Sequence, residues 1–207
     1  TVPSSQYKGL EKFFIQEGLA YRVAPVRTGE PEQGEFGAID HIVMYDNLMN
    51  RFRWGNAADP GVYLDENNKR MFSNFRRIFA NLGKALLERG DTTRAVEVAR
   101  RGLEIVPAEK LPDDYFAIGL AEVLIRAGNR EEGMKIIGDI INYSKEYLEY
   151  AAGVSPGERY GLDYPIGINM QGLLDIYHFA NDIRDEELSA IAEKEINNYY
   201  GRFYTVK

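Results

Sequence analysis

One stretch of this chain, residues 76–109, carries a pattern that few architectures accept. Phe79, Leu82-Gly83, Leu86, Gly90, Ala95, Ala99, Gly102-Leu103 and Pro107 fall at spacings that suit two helices joined by a tight turn. Gly90 suits the left-handed position just after a helix, and Asp91 is an N-cap for the helix that follows. Gly83, Ala95, Ala99 and Gly102 are small where the two helices of the hairpin are expected to cross closely. Phe79, Leu82, Leu86 and Leu103 fill the space around that crossing, and Pro107 stops the second helix.

The flanking sequence extends the helical reading. Ile42, Tyr45, Leu48, Met49 and Phe52 form one apolar stripe behind an Asp40 cap, ending at Trp54-Gly55-Asn56. Asp65 caps a long helix running to Gly90, and Asp91 caps Thr92 to Val106. Pro112, with Asp113 and Asp114, opens a helix that runs to Gly128. Asn129 starts the next, with Glu132 as its capping-box partner and Ile136, Ile137, Ile140, Ile141, Ser144 and Leu148 as its buried face. After a Gly/Pro loop over 153–165, two more helices are expected near 166–181 and 184–203, hinged at Asn181-Asp182. The start of the chain reads differently. Phe13-Phe14-Ile15 leads into an extended, Pro-broken segment, 19–26, and Gly29, Pro31, Gly34 and Gly37 mark a loop. The expected organisation is an irregular, extended N-terminal segment (1–39) packed on a helical domain (40–207), with its best hairpin at 76–109, a degenerate one at 112–152 and a C-terminal one at 165–204.

The offsets in 76–109 resemble the 34-residue tetratricopeptide repeat. The resemblance implies a mostly α fold in which antiparallel helical hairpins stack as a short α-α superhelix. It also implies ligand binding in a groove lined by the first helix of each pair. By position that groove would use Arg77, Lys84 and Leu87 in the first hairpin and Tyr115, Ile118, Glu122 and Ile125 in the second. These residues are neither strongly basic nor strongly acidic, so no charge-selective clamp follows from them.

Several phrases carry a second resemblance: Phe14-Ile15-Gln16-Glu17-Gly18-Leu19-Ala20-Tyr21-Arg22, Met44-Tyr45-Asp46-Asn47-Leu48-Met49, Phe52-Arg53-Trp54-Gly55-Asn56 and Val62-Tyr63-Leu64-Asp65. They resemble the C-terminal soluble portion of multi-pass inner-membrane proteins of Bacteroides-type bacteria, whose N-terminal membrane domain is similar to O-mannosyltransferases. The likeness covers roughly residues 10–130. It implies a periplasmic tail of a larger membrane protein, with any sugar-transfer chemistry outside this chain, and it transfers no catalytic residue. The Thr1-Val2-Pro3 start fits that expectation.

Composition narrows the function classes. With 25 Lys and Arg against 32 Asp and Glu the formal charge is −7, which disfavours non-specific binding to nucleic acid or anionic membrane. The basic pairs Lys69-Arg70, Arg76-Arg77 and Arg100-Arg101 are helix-spaced and diluted by acids. The chain has no cysteine, so it has neither disulfides nor thiolate metal sites, and it has no run of about 18 apolar residues to insert into a bilayer. His41 and His178, the only histidines, lack metal-ligand spacing, and no metal or cofactor is expected. The acidic clusters Asp113-Asp114, Glu131-Glu132 and Asp185-Glu186-Glu187 are each expected in the first turn of a helix, where the dipole accounts for them. Phosphate-binding loops and nucleophile elbows do not occur. Two readings remain. The first is a non-catalytic interaction or scaffold domain that engages a protein partner or the membrane domain of its own protein. The alternative is a carbohydrate-binding or carbohydrate-processing accessory domain, motivated by 14 Tyr and 10 Phe, with Trp54 as a possible aromatic contact.

Overall fold

The computed structural model describes residues 9–28 and 37–204. Gly29, Pro31 and Gly34 of the expected loop, and the Thr1–Pro3 start, lie outside the described residues. The chain is mostly α-helical, with helices α1 (His41–Asp46), α2 (Glu66–Leu87), α3 (Thr92–Glu104), α4 (Ile118–Arg126), α5 (Arg130–Gly153), α6 (Asp163–Asp182) and α7 (Glu186–Phe203). None of these is long and apolar enough to cross a membrane.

The N-terminal segment forms a small sheet. Strand β1 (Phe14–Gln16) lies between β2 (Tyr21–Val23), antiparallel to it, and β3 (Ala38–Ile39), parallel to it. Gly37 enters β3 at φ +69°, and a Cβ there would stand 1.9 Å from the Phe14 carbonyl oxygen, so only glycine fits this crossing. The sheet is tied to the helices by the Asn47 side chain, whose Nδ2 donates to the Glu17 carbonyl at 2.6 Å. Asp40 caps α1 by accepting from the Val43 N–H at 3.0 Å. After α1 the chain continues through a π-helical turn, Asn47–Arg51. The expected stripe is corrected here: Met44 and Leu48 are fully buried, whereas Ile42 is exposed. The buried line follows a spacing of four, Met44 then Leu48, and leaves Ile42 on the outer face.

From α2 onward, hairpins stack. The turns α2–α3, α4–α5 and α6–α7 share one construction. A positive-φ residue (Gly90, Gly128, Arg184) is followed by a residue whose N–H reaches back into the preceding helix. Those bonds run from Asp91 to Leu86 O, from Asn129 to Leu124 O and from Asp185 to Ala180 O, each 2.8–2.9 Å long. They satisfy carbonyls that a helix end would otherwise leave unpaired. Asp65, Asp91 and Asp185 cap the helices after them. Asn129 does not: its side chain makes no cap bond, and Glu132, expected as its capping-box partner, instead accepts from Arg100 of α3. The second hairpin begins later than expected, with a 3-10 turn at Tyr115–Ala117 before α4, and Pro165 falls inside the first turn of α6.

α4 packs against both α2 and α3, and α6 packs against α5 and α4, so the hairpins form one stack with a continuous core. Small residues set its spacing, though not all where expected. Ala95, Ala99 and Gly102 are buried within the first hairpin, and a Cβ on Gly102 would meet Phe79 at 2.8 Å. Gly83 instead faces the next hairpin, where a Cβ would meet Val123 of α4 at 2.9 Å. Gly119 does the same from the other side, against Ala80 at 2.8 Å. The close crossing is therefore between α2 and α4 as much as between α2 and α3.

Arg76, which reads in sequence as one of a helix-spaced basic pair, is 1% exposed. It donates to the Leu111 and Pro112 carbonyls at 2.9 and 2.8 Å and pairs with Asp113 and Asp114 at 3.3 and 3.8 Å. Asp114 does cap a helical start, accepting from the Phe116 N–H at 3.0 Å, but Asp113 and Asp114 also serve as counter-ions. They neutralise a charge on α2 that could not otherwise be buried. The other two acidic clusters do sit at helix starts, in α5 and α7.

Candidate functional site

The first helices of the hairpins, α2, α4 and α6, share one face of the stack and enclose an open groove of about 430 Å³. The sequence dictates this through its repeated turn. Lys84, Glu122 and His178 each lie six residues before the positive-φ residue of their own hairpin, and all three line the groove. Equivalent positions on helices stacked in register must face the same way. The floor is kept open by Ala80 and Gly119, whose small size also lets α2 and α4 approach.

The two ends of the groove differ in charge. At one end Lys84 pairs with Glu122 at 2.6 Å, Glu122 pairs with Arg126 at 3.2 Å, and Arg126 reaches Asp182. This chain of ions links α2, α4 and α6. The Arg126 guanidinium also lies over the Phe179 ring, 5.5 Å from its centroid. The pairs are partly solvated, and each contributes on the order of 0–1 kcal/mol. Their main effect is to leave that end with no uncommitted charge among the described residues. At the other end Arg77 is exposed and makes no ion pair among the described residues. Beside it Tyr115 is half-buried. Burial raises its hydroxyl pKa above the usual 10.0, and the Asp175 carboxylate adds to the rise, so the phenol stays a neutral hydrogen-bonding group. Among the described residues this end offers the Arg77 cation, the Tyr115 phenol and the Asp175 carboxylate beside a floor of small residues. Such a lining can offer hydrogen bonds and charge to a bound group.

Of the positions expected from the sequence, Arg77, Lys84, Tyr115, Ile118 and Glu122 line the groove together. Ile118 forms part of its floor and is itself buried. Leu87 and Ile125 do not line it. Leu87 is half-buried against the core. Ile125 is buried under α5, its Cγ1 2.5 Å from where a Cβ on Gly133 would stand. Three residues beyond Lys84 or Glu122, a side chain is turned about 60° around the helix, which carries it off the groove face. Trp54 lies outside this groove, and with Phe52, Tyr63 and Phe75 it lines a separate apolar hollow of about 520 Å³. Its ring packs on Phe52, Phe75 and Phe79 with centroids 5.5–6.1 Å apart, and its buried Nε1–H finds no acceptor among the described residues. It fastens the segment after α1 onto α2.

Sequence reasoning missed the contribution of α6, namely Asp175, His178 and Asp182, and it missed Asn81 and Arg126. The missing signal was the turn. Arg184 takes φ +57° where the other hairpins have glycine, so the third hairpin could not be placed in register by its residues. No family model matches the chain, and neither a curated protein nor a solved structure matches it.

Proposed function

We propose that this chain is a non-catalytic interaction domain of tetratricopeptide-like construction, which holds an extended segment of a protein partner along the groove of α2, α4 and α6. The observation that carries this reading is the threefold use of one helix position: Lys84, Glu122 and His178 face a common groove from successive hairpins. A groove built by repetition presents regularly spaced side chains, which suits an extended chain better than a compact small molecule. The likeness of residues 10–130 to the periplasmic tails of membrane proteins supports placing the domain there, with the membrane part of its own protein as one source of the bound segment.

Site-specific photocrosslinking in the full-length protein tests the proposal. A photoreactive side chain at Arg77 or His178, both on the groove, should give discrete adducts, while one at Arg101 on α3 should not. Equal labelling from both faces, or adducts unaffected by Arg77→Glu at the His178 position, contradicts the groove as the binding surface.

A further inference from the structure

A second hollow, of about 500 Å³, lies at the end of the stack where α2, the Leu111–Phe116 connection, α5 and the start of α6 meet. Tyr143 and Tyr147, one helical turn apart on α5, and Tyr164 at the start of α6 line it, together with Phe116. Tyr164 is 65% exposed and Tyr143 is 37% exposed. None of these three tyrosine hydroxyls is hydrogen-bonded among the described residues. Of the four charged side chains lining the hollow, Glu66, Lys69 and Asp114 have ionic partners, whereas Arg70 has only a neutral one among the described residues. Lys69 pairs with Glu66 at 2.9 Å, Arg70 donates to Asn67 Oδ1 at 2.9 Å, and Asp114 faces buried Arg76. At the base Asp114 Oδ2 receives only a long bond, 3.4 Å, from the Ser73 hydroxyl. A carboxylate oxygen there retains acceptor capacity.

We infer that this hollow binds a saccharide. Aromatic faces pack against the apolar C–H face of a pyranose, and an acceptor with spare lone pairs takes its hydroxyl protons. The acceptor at the base disfavours a proline-rich peptide, the other common partner of tyrosine-lined grooves, because such a segment offers carbonyls and few donors. The site is distinct from the groove of Arg77 and Lys84 and does not depend on that groove binding protein.

The test uses the whole chain with ring-labelled tyrosines, titrated separately with cellobiose, maltose, mannobiose and a proline octapeptide while NMR shifts are read. At least one disaccharide should shift Tyr143, Tyr147 and Tyr164 with a millimolar dissociation constant. Tyr164→Ala should weaken that binding about tenfold. Tyr160→Ala, which removes a tyrosine that is 99% exposed and outside the hollow, should leave it unchanged. The inference is overturned if no disaccharide shifts these rings at tens of millimolar, if Tyr164→Ala and Tyr160→Ala behave alike, or if the proline peptide occupies the hollow in place of sugar.

Discussion

Replacing Gly133 with alanine tests the packing logic most directly, because two opposing effects of known size act at one site. Gly133 lies in the first turn of α5, and alanine there gains helix propensity of about 1 kcal/mol at most. The new Cβ would stand 2.5 Å from Ile125 Cγ1 and 2.8 Å from the Ala121 carbonyl oxygen. Carbon contacts are optimal at about 3.5–4 Å, so the overlap is roughly 1 Å. Ile125 could rotate, but the Ala121 oxygen is helix backbone and moves only if α4 and α5 separate. Overpacking of this kind costs about 1–3 kcal/mol, which exceeds the propensity gain. Gly133→Ala should therefore destabilise the chain by about 1–2 kcal/mol, lowering the melting temperature by roughly 2–8 °C. Gly138, five residues along the same helix, has open space around it, with no atom within 4 Å of where a Cβ would stand, so Gly138→Ala should stabilise by about 0.5–1 kcal/mol. Urea denaturation followed by far-UV circular dichroism reads both as midpoint shifts at constant slope. If Gly133→Ala proves as stable as the parent, or if both variants move the midpoint the same way, the close approach of α4 and α5 is wrong.

Three further outcomes are expected. Arg184→Gly should stabilise by about 0.5–1 kcal/mol, since Arg184 holds φ +57° at the turn where Gly90 and Gly128 stand in the other hairpins; a loss of stability in the same urea titration would count against that turn geometry. Arg76→Ala should cost about 3–5 kcal/mol, because it strands the Leu111 and Pro112 carbonyls and two carboxylates, and an effect below about 1 kcal/mol would contradict its burial. Burial raises the Asp113 and Asp114 carboxyls above the ordinary value of 3.8, with Arg76 partly offsetting the rise, so the folded chain holds these protons more tightly than the unfolded one. Their stabilising contribution is then full below the unfolded value and is lost as pH rises through the raised folded values. The Asp113→Asn/Asp114→Asn variant should accordingly gain stability relative to the parent as pH goes from about 3 to about 7; a constant or shrinking gap would reverse the sign of the shift.

The residues that made the fold legible act over one or two helical turns. Asp65 and Asp91 cap their own helices, Gly90 and Gly128 end theirs, and the spacing of Phe79, Leu82 and Leu86 marks a buried face. Five of the seven groove positions followed from the repeat offsets, because position along a stacked helix fixes direction. The two failures, Leu87 and Ile125, lie at the rim of that face, where a rotation of about 60° decides between groove and core.

What the linear order of residues determined by itself was the set of helices, the ends that carry an Asp cap or a positive-φ glycine, and the hairpin as the building unit, since caps, positive-φ glycines and apolar periodicity are local properties. Only the tertiary structure decided which surfaces meet. It turned Gly83 toward α4, set Asp113 and Asp114 around Arg76 some 37 positions away, gave Glu132 to Arg100 instead of to its own helix end, and brought His178 of α6 into line with Lys84 and Glu122. Such pairings join residues tens of positions apart. Their energies depend on how hairpins pack and on what must be neutralised once water is excluded, and neither quantity is written in any short window of sequence.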